Sequence, residues 1–233
     1  MTTTGPNLAG TGADDAAVGT ISWSNPTRIT ADDASTSDCL NGTGGSTTTH
    51  YLKATNFGFA IAADQQIDGI QVEIDRSAAA NYASRYVKDA TVKLVIGGTV
   101  SGSNLADTVT KYPTTSAVAS YGGASSLWGL TPTYADVNGS TFGVVLSCTN
   151  VSDSGKVIVF GSVDFIRITI THSTAAAPSG QPTSKRFGGV PFMGAHGAGI
   201  PSAVRQWMRR DSGLIAPRQQ VATAIWRPAH GID

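Results

Sequence analysis

The chain has 233 residues, of which 40% are apolar and only 14% are charged, and it contains 27 glycines. This length is enough for one well-packed domain with extensions, or for two small domains. A low fraction of charged residues with abundant Gly, Ser and Thr is typical of short strands and many turns. This composition argues against a helical bundle or an α/β metabolic enzyme. The composition therefore predicts an all-β fold.

The formal net charge of zero hides two regions of opposite sign. Up to Ser173 there are nine Lys and Arg against fourteen Asp and Glu, a balance of −5. From Thr174 onward there are seven against two, a balance of +5. The basic residues of this second region are dispersed among Gly, Pro and apolar residues, which favours an acidic protein surface as partner over nucleic acid.

The N-terminal part of the chain carries little periodicity. Residues 1–19 are small, polar and aperiodic, which predicts a flexible arm, and the ordered domain is expected to begin at residue 20. Residues 30–49 are polar and too many for a tight turn, so they are predicted to form a surface loop.

Apolar residues at every second position predict two strands within residues 51–76, because successive side chains of a strand point to opposite faces. Asp64 and Gly69 are predicted to mark the turn region between the two runs. The alternating positions are Phe57, Phe59 and Ile61 in the first run, and Ile70, Val72 and Ile74 in the second.

Further strand patterns follow along the chain. A hairpin connection at residues 78–85 leads into a predicted strand at 86–96, which Gly97 and Gly98 close. Residues 99–133 have aromatics but little period, which suggests a long connection pinned by side-chain anchors. The later strand runs are Phe142, Val144 and Leu146, then Val157 to Val159, and then Ile166, Ile168 and Ile170.

These patterns add up to about eight strands with long connections, which is typical of an antiparallel two-sheet β-sandwich of jelly-roll type. The domain is predicted to span residues 20–172. One helical turn is expected at residues 133–139, with Thr133 as N-cap, Asp136 completing a capping box, and Asn138-Gly139 as a left-handed stop.

After the sandwich, residues 173–184 form a Pro/Ala/Ser/Gly linker. Residues 185–233 are apolar and basic but cannot form their own core, so we interpret them as a docking tail that lies along another protein, with one short helix at 201–210. The residues predicted to dock are Phe187, Phe192, Arg205, Trp207, Arg209, Arg210 and Trp226.

Sequence patterns for catalysis or metal binding are weak. The histidines at 50, 172, 196 and 230 have no metal-ligand spacing, and there is no GxSxG nucleophile motif. Glu73, Asp75, Asp136 and Asp164 are interpreted as solvated edges and caps rather than paired catalytic acids. The prediction is that the protein is not an enzyme and has no cofactor or metal. A calcium site on the flexible loop of Asp32, Asp33 and Asp38 is the weaker alternative.

The aromatic residues of the long connection leave two alternatives open. Tyr112, Tyr121, Trp128 and Tyr134 could form a sugar-stacking platform, or they could be loop anchors that cover the core. Anchoring is favoured because long loops need apolar contacts to hold them in place.

The sequence also predicts where the protein is synthesised and the state of its two cysteines. Neither an apolar run of membrane-spanning length nor a secretory signal pattern occurs, which predicts synthesis in a cytoplasm. Cys39 and Cys148 are therefore expected to be free buried thiols, since cytosolic disulfides are rare.

The order of the segments resembles a family of β-sandwich proteins of tailed bacteriophages and prophages over residues 20–172. The residues that carry this resemblance are YLKATNFGFAI, IDGIQVEIDR, VKDATVKLVIGG, YPTT, YGGASSLWG, TYADVNGSTFGVVLS and VDFIRITIT. The C-terminal RFGGVPFM is similar to the ends of small phage structural proteins, but less specifically.

The resemblance implies a non-enzymatic structural protein of the virion, assembled in the host cytoplasm and displayed as a decoration, collar or neck, or fibre-type component. Its implied partners are other virion proteins of the capsid, portal, neck or tail, and further copies of itself, for example in a trimer. Neither nucleic acid nor a membrane is an expected partner. The alternative function is recognition of host-surface glycans through Tyr112, Tyr121 and Trp128.

Overall fold

A computed structural model of the chain describes residues 1–40, 45–152 and 159–175. The linker from residue 176 onward, the docking tail with its short helix, and part of the run at 157–159 lie outside the described residues. The strands are β1 (Thr2–Leu8), β2 (Thr11–Asp15), β3 (Trp23–Ser24), β4 (Ser37–Leu40), β5 (Thr47–Thr48), β6 (Tyr51–Thr55), β7 (Gln65–Ala78), β8 (Tyr86–Ile96), β9 (Thr99–Ser101), β10 (Ala117–Gly123), β11 (Gly143–Val151) and β12 (Phe160–Thr174). A 3₁₀ turn at Pro26–Thr30 and the helix α1 (Tyr134–Asn138) complete the elements.

The strands form two antiparallel six-stranded sheets that pack face to face, as predicted. The first sheet has the order β10-β7-β12-β4-β3, with β1 also paired to β12. The second has the order β2-β6-β11-β8-β9, with β5 also paired to β11. From β6 to β12 the chain passes repeatedly from one sheet to the other. The neighbours β4-β12-β7-β10 and β6-β11-β8-β9 form the two four-stranded halves of a jelly roll.

One continuous apolar core fills the space between the sheets. Ile70, Val72 and Ile74 of β7 are fully buried, while the residues between them are partly exposed, so the predicted alternation is confirmed. The same holds for the alternating isoleucines of β12. The hydrophobic effect over these inward faces is the main favourable term for folding.

The strand predicted at 86–96 matches β8, and Gly97 and Gly98, both with positive φ, turn the chain into β9. The hairpin predicted at residues 78–85 is wrong: β7 belongs to the first sheet and β8 to the second, so this connection crosses between sheets. Gly69 also lies within β7 rather than in a turn. A local pattern cannot tell a hairpin from a crossover, because both need only a short loop.

The run from Phe57 to Ile61 is buried at alternate positions but is not a strand, which corrects that part of the prediction. Side-chain amides replace the ladder hydrogen bonds here. Asn138 Oδ1 accepts from the Ile61 N–H at 2.8 Å, and Asn138 Nδ2 donates to the Ile61 carbonyl at 2.8 Å. Asn7 Nδ2 donates to the Phe57 carbonyl at 2.9 Å. These contacts satisfy backbone groups that lie outside the strand ladders of the described residues.

The helix α1 confirms the predicted capping box. The Asp136 N–H donates to Thr133 Oγ1 at 3.2 Å, and the Thr133 N–H donates to Asp136 Oδ2 at 2.8 Å. Gly139, however, has φ −68° and ψ 139°, so the predicted left-handed stop is wrong. The Asn138 side chain of this helix makes the two contacts to Ile61 described above.

The flexible N-terminal arm predicted for residues 1–19 is also wrong, because β1 and β2 belong to the two sheets. β1 pairs with the C-terminal half of β12, and His172 Nε2 contacts Thr4 Oγ1 at 3.0 Å. Polar side chains do not prevent pairing at a sheet edge, since the backbone supplies the hydrogen bonds and one face stays wet. The sandwich therefore begins at Thr2, and β12 extends to Thr174, past the predicted boundary of 172.

Within the described residues, no helix is both long enough and apolar enough to span a membrane.

Replacing Asn138 with alanine is expected to destabilise the sandwich by roughly 1–3 kcal/mol, because both backbone groups of Ile61 lose their partner in a partly buried site. The measurement is the free energy of unfolding in urea. The control is Val109→Ala at a site 84% exposed, which should change that free energy by less than about 0.5 kcal/mol. Equal stability of the Asn138 variant and the parent would show that the amide contacts do not hold this segment.

Candidate functional site

A buried cluster of polar side chains lies between the sheets at the centre of the sandwich. Asp89 of β8 is 1% exposed and accepts hydrogen bonds from the hydroxyls of Tyr112 and Tyr121, each at 2.7 Å. It also pairs with the guanidinium of Arg76, which projects from β7 of the opposite sheet. We call Arg76, Asp89, Tyr112 and Tyr121 the Asp89 cluster.

The geometry of this cluster compensates for burying two charges. The Arg76 guanidinium carbon lies 4.3 Å from the centroid of the Tyr112 ring and 5.8 Å from that of Tyr121, within the range of cation–π attraction. The Asp107 N–H adds a further donor to Asp89 Oδ2 at 3.2 Å. With hydrogen bonds to both carboxylate oxygens, the ion pair avoids the large penalty of an unpaired buried charge.

The two tyrosines keep their protons in this cluster. Burial first, and the charge of Asp89 among further causes, raise the pKa of Tyr121, and burial raises that of Tyr112 in the same direction. Both hydroxyls therefore stay donors to the carboxylate. The cluster is enclosed by the two sheets and joins them through Arg76 and Asp89.

This cluster was not predicted from the sequence, although a signal was present. Arg76 falls in phase with the buried Val72 and Ile74, and Asp89 falls in phase with the buried Val87. A charged residue at an inward strand position needs a partner of opposite charge, since isolated buried charges are rare. Which partner it finds depends on how the sheets face each other.

The alternative that Tyr112, Tyr121 and Trp128 face a glycan is wrong for the folded sandwich. Their exposed fractions are 0%, 5% and 2%. Both tyrosine hydroxyls bind Asp89, and Trp128 Nε1 donates to the Ile70 carbonyl at 3.0 Å. Tyr112 and Trp128 lie in irregular segments and anchor them onto the core, as favoured. Tyr121 belongs to strand β10, so the single long connection predicted at residues 99–133 is wrong.

Tyr134, the fourth of these aromatics, lies at the surface and is 36% exposed. It borders an open groove of about 510 Å³ between the start of β7 and the segment that leads into α1. We call this the Tyr134 groove. Its lining combines apolar and polar side chains: Gln65, Gln66, Ile67, Asp68, Leu127, Thr131, Pro132, Thr133 and Tyr134.

The polar side of the Tyr134 groove carries a carboxylate and amides. Gln66 Nε2 donates to Asp68 Oδ1 at 2.9 Å, and Gln65 Oε1 contacts the ring of His172 at 3.1 Å. Hydrogen bonding with Ser173 and then Gln66 lowers the pKa of Asp68, so its carboxyl is ionised; its Oδ1 accepts from Gln66, and its Oδ2 is shielded from solvent. An acceptor and amides beside an aromatic ring can hold a hydroxyl-rich ligand. Its lining comes from separated segments, so no local pattern reveals it.

The two described histidines make structural contacts. His50 Nδ1 lies 2.8 Å from Asp14 Oδ2, and the other Asp14 oxygen accepts from the Trp23 N–H at 2.8 Å. His172 connects β1 and β7 to the end of β12 through Thr4 and Gln65. His196 and His230 lie outside the described residues.

The carboxylates considered for catalysis mostly occupy structural positions. Glu73 forms a half-exposed ion pair with Arg167 at 2.9 Å, and Asp136 caps α1 as predicted. Asp75 Oδ1 accepts a hydrogen bond from Ser116. Asp164 departs from the prediction: it is 6% exposed rather than solvated, and burial raises its pKa.

The surface loop predicted at residues 30–49 is interrupted by β4 and β5, and Asp38 lies within β4. Asp33 Oδ1 accepts from the Ser35 N–H at 2.9 Å, and Asp38 Oδ1 accepts from Ser162 Oγ at 2.6 Å. In the part of the chain that the structure describes, no three His, Cys, Asp or Glu side chains are grouped so that they could hold a metal ion. The calcium alternative therefore gains no support from these residues.

The predicted docking residues, from Phe187 to Trp226, lie outside the described residues, so their role stays a prediction.

Comparisons of the chain with protein-family models, with curated proteins and with solved structures each found no match.

Breaking the Asp89 cluster should destabilise the sandwich strongly. Asp89→Ala leaves Arg76 buried without its counter-ion, and we expect a loss of roughly 3–5 kcal/mol in the free energy of unfolding. Tyr121→Phe removes one hydrogen bond to a charged acceptor and should cost about 1.5–3 kcal/mol. Both are measured by urea denaturation of the full chain.

The matched control is Glu73→Ala, which breaks the half-exposed ion pair with Arg167 and should cost no more than about 1 kcal/mol. Equal losses for Asp89→Ala and Glu73→Ala would contradict the special role assigned to the buried pair.

Proposed function

We propose that the protein is a structural component of a bacteriophage virion, displayed on the particle as a decoration, collar or neck, or fibre-type protein. The observation that carries this proposal is the jelly-roll order of the two sheets. This architecture recurs in viral capsid proteins, where a rigid sandwich serves as a building block. The fold alone does not define a function, so the arrangement of charges and surfaces matters as well.

The distribution of polar groups supports a building block rather than an enzyme. The most elaborate network of charges, the Asp89 cluster, lies between the sheets and is saturated by internal partners. The described histidines and most acids considered for catalysis are tied into strand contacts, caps and turns. Such a molecule offers rigid surfaces to neighbours, which is what assembly into a particle requires.

The opposite charges of the two regions support anchoring by the tail. The region up to Ser173 carries a balance of −5 and the region from Thr174 carries +5. We propose that residues 185–233 bind an acidic surface of another virion protein in the capsid, portal, neck or tail, with their aromatic residues as apolar anchors. Complementary charge would guide the encounter, and the aromatics would supply most of the affinity. Self-association into a homo-oligomer, for example a trimer, belongs to the same proposal.

A chain ending at Ala175 tests the anchoring. This end point retains all of β12 and the Ala175 N–H, which donates to the Asp64 carbonyl at 2.9 Å. We expect the shortened chain to unfold at the same urea concentration as the full chain but to be lost from purified particles. The measurement is the amount of the chain in particles grown with each version.

A full-length variant with Arg205, Arg209 and Arg210 changed to glutamate separates charge from length. It should be incorporated less than the parent, because the tail then faces an acidic partner with the wrong sign. Normal incorporation of the chain ending at Ala175 would rule out anchoring by the tail. The masses of both chains in solution, from light scattering, then show whether the tail joins like subunits.

The second candidate function is recognition of a host-surface glycan, and the Tyr134 groove is the observation that favours it. Jelly rolls also occur as lectin domains, and sugar sites combine an aromatic face with carboxylate and amide groups. The groove has these elements in Tyr134, Asp68 and Gln66. Under this proposal the ligand-facing aromatic is Tyr134, and the buried aromatics of the long connection take no part.

A glycan array probed with the full chain tests this candidate. Tyr134→Ala should remove any selective signal, because the ring supplies the stacking surface. The matched control is Tyr82→Ala, which removes a tyrosine that is 55% exposed and outside the groove, and it should leave the signal unchanged. Absence of selective binding by the parent chain would exclude the glycan function for the sugars on the array.

A further inference from the structure

Two cysteines that are distant in sequence face each other across the sandwich. Cys39 belongs to β4 of the first sheet and Cys148 to β11 of the second, and both are free and fully buried. In the register of the first sheet Cys39 lies opposite Gly161, and in that of the second Cys148 lies opposite Asp89. The pair therefore lies next to the Asp89 cluster, in the middle of the core.

Contacts of the Cys39 sulfur show that the sheets approach closely at this point. Its Sγ lies 3.8 Å from Asn150 Oδ1, which projects from β11 two residues beyond Cys148 and on the same inward face. The Cys39 thiol also donates to the Gly161 carbonyl at 3.4 Å. The Tyr112 ring lies beside the same glycine, and its hydroxyl lies 2.9 Å from Cys148 Sγ, so both sulfurs face the same part of the core.

Gly161 explains how two sheets can come this close. A Cβ at this position would lie 3.1 Å from Val87 Cγ1 of the second sheet and 3.3 Å from Cys39 Sγ. Both distances are shorter than ordinary contacts, so a larger residue would require the Val87 and Cys39 side chains to shift by a few tenths of an ångström. Gly161, Cys39 and Cys148, all small, thus lie together in a core that is filled mainly by branched and aromatic residues.

We propose that Cys39 and Cys148 form a redox modification site, in which a hydroperoxide converts the two thiols into a disulfide between the sheets. One sulfur attacks the peroxide oxygen, the O–O bond breaks, and the departing hydroxide takes up the thiol proton as water. The second sulfur then attacks the resulting sulfenic acid, forming the S–S bond and releasing a second water. Two thiols and one hydrogen peroxide thereby give one disulfide and two waters.

The surroundings of the pair select the oxidant by size. Because both sulfurs are fully buried, a bulky disulfide such as oxidised glutathione cannot reach them in the folded state, whereas hydrogen peroxide is little larger than water. Burial also raises the pKa of Cys148, which keeps its thiol protonated and slows its reaction. The Tyr112 hydroxyl lies 2.9 Å from Cys148 Sγ, and because its own proton is donated to Asp89, its oxygen accepts a hydrogen bond from the Cys148 thiol. We expect slow but specific oxidation.

The disulfide would join the sheets covalently and close a loop of about 110 residues. A loop of this length restricts the unfolded chain strongly, so the unfolding temperature should rise by roughly 5–15 °C if the bond forms without strain. The inference does not depend on the proposed virion role, since it concerns only the interior of the sandwich.

The test treats the folded full chain with hydrogen peroxide and measures its intact mass. A loss of two hydrogens, with a peptide linking Cys39 to Cys148 in a digest without reductant, is the expected result. The unfolding temperature should rise after oxidation and return to its starting value when a reductant is added. Oxidised glutathione should give no disulfide in the folded protein over the same time.

Two single variants, Cys39→Ala and Cys148→Ala, provide the controls. Each should gain oxygen on its remaining thiol without any rise in the unfolding temperature, because no partner sulfur is present. Three results would overturn the proposal: oxygen addition to both thiols of the parent without a link, a bond between separate chains, or no reaction of the folded parent. All three are read on the parent chain, so the conclusion stands even if a variant fails to fold.

Discussion

The buried ion pair of Arg76 and Asp89 is the constraint on which the rest of the sandwich depends. Arg76 belongs to one sheet and Asp89 to the other, so the pair fixes how the two faces meet. A buried charge without its partner costs several kcal/mol, which makes any other alignment of the sheets unfavourable. The hydroxyls of Tyr112 and Tyr121 complete the hydrogen bonds of the Asp89 carboxylate and join β10 and the segment before it to the core.

The segment between β10 and α1 also forms part of the outer surface of the sandwich. Trp128 donates to the Ile70 carbonyl, and the Ile70 N–H donates to the Ser126 carbonyl at 2.9 Å, so the segment before α1 is held against β7. The wall of the Tyr134 groove formed by residues 127–134 continues directly from these contacts. Interior anchoring and groove shape are therefore linked, and a residue that never touches a ligand can still decide the form of the groove.

Both proposed functions depend on the surface of the protein, because the buried side chains contact one another. A sandwich of this kind gains specificity from what its edges, groove and extensions contact, and the same fold hosts structural and sugar-binding roles. The acidic balance up to Ser173 and the basic balance after it give the chain two regions suited to different neighbours. The proposed oxidation of Cys39 and Cys148 would take place inside the same sandwich, next to the Asp89 cluster.

The sequence by itself determined the all-β class, the inward faces of β7 and β12, and the capping box of α1, because these follow from side-chain period and local hydrogen bonding. Only the tertiary structure decided that residues 2–15 are strands, that Phe57 to Ile61 is held by Asn138, and that Tyr112 and Trp128 point inward. Each of these depends on a partner far away in the chain. Backbone groups pair with any strand that reaches them, and an aromatic ring is buried or exposed according to what lies beneath it.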